Sequence, residues 1–314
     1  MKKIVVGAFV LILAVAIASC GGRNVGGGSR GTATQKAPHG GFRFPQPPSV
    51  VTTSEERNAF IAAHYWDGFD FGDTTFLRSE EFRQTLFPNF VGFLSASPQP
   101  KADEAIKIVF AAIEKQDTAV WNLITDGFET FLYDPNSQLR SDELYITVLR
   151  SMLASDKLSE ADRLRFEDRL SMAQRNRIGQ PATDFVYTTW SGRQGRLYDI
   201  RSQWLILFFN NPGCHACAEI MEGFAQSPDI ARRLADGSLK VLSVYPDADI
   251  KAWKEYYSHY PKAWINAWDK TQTLRGEELY DLKAIPSLYL LNKDRRVVVK
   301  DASEVGPIIQ ALDR

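Results

Sequence analysis

The chain is poor in cysteine: three in 314 residues, at positions 20, 214 and 217. A small secreted fold stapled by disulfides spreads its cysteines through the sequence, so that architecture is excluded. Histidine is as scarce. His39, His64, His215 and His259 are scattered, and no second Cys/His pair completes a four-ligand zinc site with Cys214, His215 and Cys217. An excess of one charge is missing too, with 37 Lys plus Arg against 38 Asp plus Glu. Nucleic-acid proteins carry a basic excess, so no nucleic-acid partner is expected. No internal repeat is visible, and long apolar runs are absent except at the start.

That one run, "IVVGAFVLILAVAIAS", follows Lys2 and Lys3 and stops at Cys20. A basic n-region, an apolar h-region and small residues at its end read as an export signal over 1–19. An uncleaved anchor is the alternative, although the run is close to the lower limit of roughly 17–25 residues for spanning a bilayer. The segment "IASC" resembles the lipobox of bacterial lipoproteins, which implies cleavage before Cys20 and a lipid on it. The mature chain is then expected in the cell envelope, outside the cytoplasm, attached to a membrane through acyl chains. Its folded part would own only Cys214 and Cys217. Residues 20–51 are rich in Gly, Ser and Pro and read as a flexible tether, stiffer at Pro45, Pro47 and Pro48.

Residues 52–178 read as helical. Thr53 with Glu56 makes a capping-box pattern, and Ser159 with Asp162 offers another cap. Ile106, Val109, Phe110 and Ile113 share one helical face, as do Leu144, Val148, Leu149 and Met152, and as do Phe166, Leu170 and Ala173. Five or six helices are expected. Gly179 and Pro181 break the pattern, and residues 179–314 alternate β-type and helix-type runs. The strands include the buried run "WLILFFN", "LKVLSVY", a short strand near "WINAW", "SLYLL" and "VVVK". Helices are expected after Cys214, over "ADIKAWKEYYSHY", over "LRGEELYDL" and from about Glu304. The fold class is α/β with a mixed central sheet flanked by helices, preceded by an all-α helical domain.

The chemistry concentrates in "FFNNPGCHACAEI", Phe208 to Ile220. A nucleophilic cysteine has to be a thiolate, and a free thiol near pKa 8.5 is mostly protonated at neutral pH. Cys214 falls where strand yields to helix, after Pro212 and Gly213. Unsatisfied N–H groups and the positive dipole end favour an anion there, and such cysteines drop to roughly 3.5–7.5. Positions i and i+3 share one side of a first helical turn, so Cys214 and Cys217 can close a disulfide. The outer Cys214 is the candidate nucleophile and the shielded Cys217 the resolving thiol. His215, between them, is a candidate for tuning the redox potential. Glu219 is a weak candidate proton acceptor.

This strand–CxxC–helix arrangement, with "LKAIPSLYLLNKDRRVVV" far downstream, resembles the thioredoxin fold. The upstream "IGQPATDFVY…GRQGRLYDIRSQWLILFF" is similar to the opening of the membrane-tethered TlpA-like or ResA-like subfamily. The resemblance covers about residues 179 to 314. It implies that Pro286 is cis and shapes the substrate groove, that Ile285 offers main-chain hydrogen bonds to substrate, and that the dithiol carries electrons without a further cofactor. It also implies protein thiol or disulfide clients, a membrane thiol donor, and action more often in the reducing direction. The sequence departs from the family in places. Gly213 stands where the family has Trp, Phe208 where thioredoxins have a buried Asp, and Ile220 where the tethered subfamily often has Glu.

Other readings are weaker. Peroxiredoxins need Thr or Ser three residues before the nucleophile, where Asn211 stands. Asp67, Asp70 and Asp73 could be imagined around a metal, but turn and cap carboxylates fit them better. The aromatics of "KAWKEYYSHY" read as core. A partner-binding lipoprotein that uses the helical domain, with the thioredoxin-like part as scaffold, is the alternative function.

Overall fold

The computed structural model describes residues 41–313. The expected export signal, lipidated Cys20 and most of the tether lie outside the described residues. Among the described residues, no helix is long and apolar enough to cross a membrane.

The first half is helical: α1 (Ser54–His64), α2 (Thr74–Leu77), α3 (Phe87–Ser95), α4 (Gln99–Ile113), α5 (Thr118–Phe128), α6 (Asp142–Leu153) and α7 (Glu160–Ala173). Polar side chains start most of them. The Thr53 hydroxyl accepts from the Glu56 N–H at 3.2 Å and donates to the Glu56 carboxylate at 2.8 Å. Asp73, Asp117, Ser141 and Ser159 cap α2, α5, α6 and α7. Single π-helical stretches, Phe82–Leu86 and Glu129–Tyr133, lead into α3 and extend α5. The apolar faces read from the sequence meet in one core, where Ile106, Ile113, Phe128, Val148 and Leu149 have no exposure.

Asp67, Asp70 and Asp73 do ordinary structural work. Asp67 pairs with His64 at 2.7 Å, Asp70 accepts from the Gly72 N–H at 2.8 Å, and Asp73 accepts from the Phe76 N–H at 3.0 Å. Trp66 before them and Phe69 and Phe71 between them are buried. The far end of the expected tether differs from its reading. Phe42 packs 5.1 Å from the Tyr65 ring and Phe44 lies 5.8 Å from Phe93. Two rings inside a Gly/Pro-rich composition are enough to lay this stretch on the helical core, because each ring that leaves water contributes stabilisation.

The second half is built on one seven-stranded sheet: β1 (Val186–Thr189), β2 (Gln194–Arg196), β3 (Trp204–Phe209), β4 (Leu239–Tyr245), β5 (Ile265–Trp268), β6 (Ser287–Leu291) and β7 (Val297–Ala302), in the order β2-β1-β5-β4-β3-β6-β7. The β3–β4 and β4–β5 pairs are parallel, and the rest are antiparallel. The central strands are apolar on both faces because helices cover both. These helices are α8 (His215–Gln226), α9 (Pro228–Ala235), α10 (Ile250–Tyr256), α11 (Thr273–Gly276) and α12 (Gly306–Leu312). Ser227 and Pro228 split the single helix expected after Cys214 into α8 and α9. The helix expected over "LRGEELYDL" is one turn only, since the Leu279 N–H closes on the Leu274 carbonyl and Glu278 is left-handed at φ 50°. Trp253 and Tyr260 are core residues.

The halves meet through polar contacts, some exposed and some partly buried. Arg175 donates to the carbonyls of Glu277 and Glu278, Asn176 to that of Leu279, and Lys300 to that of Ala173.

Candidate redox site

Strand β3 ends in the CxxC turn. Asn210, almost fully buried, fixes that junction. Its amide donates to the Ser243 hydroxyl at 2.8 Å, and its carbonyl accepts from the Tyr260 hydroxyl at 2.7 Å. Gly213, at φ 71°, takes the left-handed conformation that lets the chain turn. The Cys214 N–H then donates to the Asn211 carbonyl at 3.2 Å.

Cys214 is the N-cap of α8. Its sulfur accepts from the Cys217 N–H at 3.2 Å, and its carbonyl takes the first intrahelical bond, from Ala218. The cap position puts Sγ among unsatisfied N–H groups at the positive end of a twelve-residue helix. Such a location favours a negative charge by about 0.3–1 kcal/mol, and by more when partly buried. Cys214 and Cys217 form a disulfide with their Cα atoms 5.2 Å apart. Cys214 is half-buried, and Cys217 is buried in the core between α8 and the sheet. The outer sulfur can therefore be attacked while the inner one cannot.

The Ile285–Pro286 peptide is cis. Pro286 directly precedes β6, whose Ser287 pairs in register with Phe209, the last residue of β3. That register carries the proline to the strand end from which the cysteines project. Ile285 is partly buried against the same core as Cys217.

The two weaker candidates lie on the outer surface of α8. His215 is 90% exposed, and its Nε2 faces the Glu219 carboxylate at 3.3 Å. Cys217 is buried on the other side of the helix, so Glu219 pairs with the imidazole instead of reaching the inner thiol. Phe208 and Ile220 are buried. The Phe208 ring stands edge-on to Trp264 at 6.1 Å, and Trp264 also meets Phe224 at 6.0 Å. Rings fill the space beneath Cys217. Among the described residues, no cluster of three or more His, Cys, Asp or Glu is placed to hold a metal ion.

Asp301 escaped the sequence reading. It is a left-handed residue, at φ 49°, in an irregular stretch of β7 where the register against β6 shifts. Bulges of this kind re-aim side chains beside active sites. Here the buried carboxylate accepts from the Ser287 hydroxyl at 2.7 Å, immediately after Pro286, and pairs with Arg140 of the helical half at 2.9 Å. Burial pushes its pKa up to about 6, with Arg140 and the Ser287 hydrogen bond opposing the rise. Close by, burial also works to raise Asp142, but Lys300 and Lys283 outweigh it and hold the carboxyl below its usual range. In sequence, Asp301 looks like any turn acid. Its one signal was an Asp placed directly after the apolar run and Lys300 in the last strand.

Residues 24–176 match the family model of a domain of unknown function, DUF5106, and residues 178–300 match that of the AhpC/TSA family. No curated protein matches the chain. Among solved structures, the chain is similar to the C-terminal domain of an uncharacterized protein from Bacteroides fragilis NCTC 9343. That likeness is 45% identical, covers 44% of this chain and 99% of the other, and has a TM-score of 0.43. A thioredoxin-like protein from Bacteroides caccae ATCC 43185 is similar along nearly its whole length: 41% identity, 87% of this chain and 99% of that one, with a TM-score of 0.81. The chain therefore belongs to the thioredoxin-like proteins, with a C-terminal AhpC/TSA-type thioredoxin-like domain behind a helical domain of unknown function.

Proposed function

We propose that the chain is a thiol–disulfide oxidoreductase of the cell envelope, tethered through a lipid on Cys20 and acting on protein disulfides in the reducing direction. Its working part is the thioredoxin-like region 179–314, and the helical region 52–178 stands beside it. The observation that supports this most is the half-buried Cys214, whose sulfur caps α8 at the same strand end as cis-Pro286 and is bonded to a shielded Cys217. In the reduced protein the Cys214 thiolate attacks a client disulfide. A bond forms from Sγ to one client sulfur, and the other client sulfur leaves as a thiolate. Cys217 then loses its proton and attacks Cys214 Sγ. This frees the second client thiolate and leaves the protein disulfide, so two electrons have passed to the client. The dithiol is the only redox group this cycle uses. A membrane thiol donor restores it, and His215 modulates the potential.

Equilibration with glutathione buffers, followed by trapping of free thiols, tests the reading. The wild type should show one two-electron transition at a low potential. Cys214→Ser should abolish exchange, and Cys217→Ser should accumulate a mixed disulfide. If Cys214→Ser left the protein's function intact, the chain would be a partner-binding lipoprotein instead. A peroxidase is disfavoured because Asn211 occupies the position where that chemistry needs a hydroxyl residue.

A further inference from the structure

A cleft of about 630 Å³ opens beside the disulfide. One side is formed by Ala216, which lies between the cysteines, by Ile285 and Pro286, and by β7 and the turn after it, from Val299 to Glu304. The opposite side comes from the helical half: residues 135–138, 140 and 141 of the segment before α6, with Asp142 and Glu143 at the start of α6. The helical domain therefore supplies one wall of a cleft whose other wall carries Ala216 and Pro286, beside the disulfide.

That wall is pinned. Arg140 reaches across to the Asp301 carboxylate and also donates to the Asp301 carbonyl. Asp142 pairs with Lys300 at 2.8 Å and lies 3.8 Å from Lys283. All of these side chains are at most 15% exposed. Removing one partner of a buried pair costs about 3–5 kcal/mol, so the contact belongs to the fold. The loop also holds its own shape. The Ser137 hydroxyl donates to the Phe131 carbonyl at 2.6 Å, and Asn136 bonds to Asp134. Gln138 is different: it is exposed in the cleft, and its amide bonds to no group among the described residues.

The chemistry of the cleft selects its occupant. The buried charges beneath it pair with one another, which leaves no strong site for a small ion. Strand β7 is the last strand of the sheet, but Gly179 and Gln180 already bond to Val297 and Arg140 to the Asp301 carbonyl, so the wall opposite is the better source of a bond to an extended segment. A side-chain amide presents both a donor and an acceptor, which suits a peptide backbone. We propose that Gln138, from the helical domain, is a specificity-determining residue of this cleft, and that its amide bonds to the main chain of the client polypeptide flanking the disulfide. The inference rests on the thiol-exchange reading above.

The test uses the full chain with Cys20→Ser and Cys217→Ser, so that Cys214 is the single thiol. Two reagents carry the same nitrothiobenzoate-activated cysteine, one within a ten-residue peptide and one as N-acetylcysteine amide. Attack joins Cys214 Sγ to the reagent cysteine and releases the coloured nitrothiobenzoate anion, so rates are read directly. The peptide should react faster, with saturation. Gln138→Trp, which fills the cleft, should lower the peptide-to-amide rate ratio by about tenfold, equivalent to about 1.4 kcal/mol. Gln138→Ala should lower it less, through a weaker KM for the peptide. A ratio untouched by both variants overturns the cleft assignment while leaving the thiol chemistry standing. If neither reagent reacts even with the parent protein, the oxidoreductase reading fails, and the cleft assignment with it.

Discussion

Replacing Asp301 with asparagine should remove a loss of stability that sets in as the pH rises toward neutrality. In the folded protein this carboxyl is 5% exposed, and burial lifts its pKa from 3.8 to about 6. Facing it are Arg140, Asp142, Lys283 and the Ser287 hydroxyl, with the Tyr289 ring nearby. The folded state therefore holds the proton more tightly than the unfolded chain. The resulting stabilisation is fully present below about pH 3.8 and is lost as the pH climbs through about 6. A gap of about two pK units corresponds to roughly 3 kcal/mol, and about 2 kcal/mol of it falls between about pH 4.5 and 7.5. Asparagine cannot ionise, so the variant lacks this dependence, while every other titrating group is common to both proteins. Urea unfolding of the oxidised wild type and Asp301→Asn at a series of pH values reads the effect directly. The free-energy difference, variant minus wild type, should rise by about 2 kcal/mol across that interval. A difference that stays flat, or that falls with pH, refutes the reasoning.

Two further expectations concern the core of the helical half and its charged contact with the sheet half. Phe128 has no exposure and touches the rings of Phe87 at 5.1 Å and Phe110 at 5.8 Å. Phe128→Ala should therefore cost about 3–5 kcal/mol, seen as a lower denaturation midpoint. Asp142→Asn leaves the 5%-exposed Lys300 without its carboxylate. It should destabilise by about 3–5 kcal/mol and speed amide hydrogen exchange in residues 135–141, and unchanged exchange there would show that the wall is not pinned by this pair.

The legible parts of the fold were the local ones. Thr53 and Glu56, Ser159 and Asp162, and Cys214 and Cys217 are each three residues apart. Their geometry follows from one helical turn, so spacing alone revealed it. The apolar stripe of α4 was readable for the same reason. Contacts between distant positions were not. Arg140 and Asp301 are 161 residues apart, and Asn210 and Tyr260 are 50 apart. Neither residue of either pair carries a mark of its partner. Phe42 and Phe44 were hidden by the composition around them, since a ring's destination depends on a surface formed elsewhere. The short α11 failed for a further reason. Glu278 adopts a left-handed conformation, which periodicity cannot register.

The sheet's outer margin at β7 is covered by chain that precedes it. Residues Gly179 to Ala182 bond to Arg295 and Val297, and Arg140 bonds to Asp301. Synthesis runs from the amino terminus, and domains generally fold in that order. The helical half is then already assembled when the last strand leaves the ribosome. A newborn copy can seal its open flank with its own earlier residues before a neighbouring copy's strand can stack there.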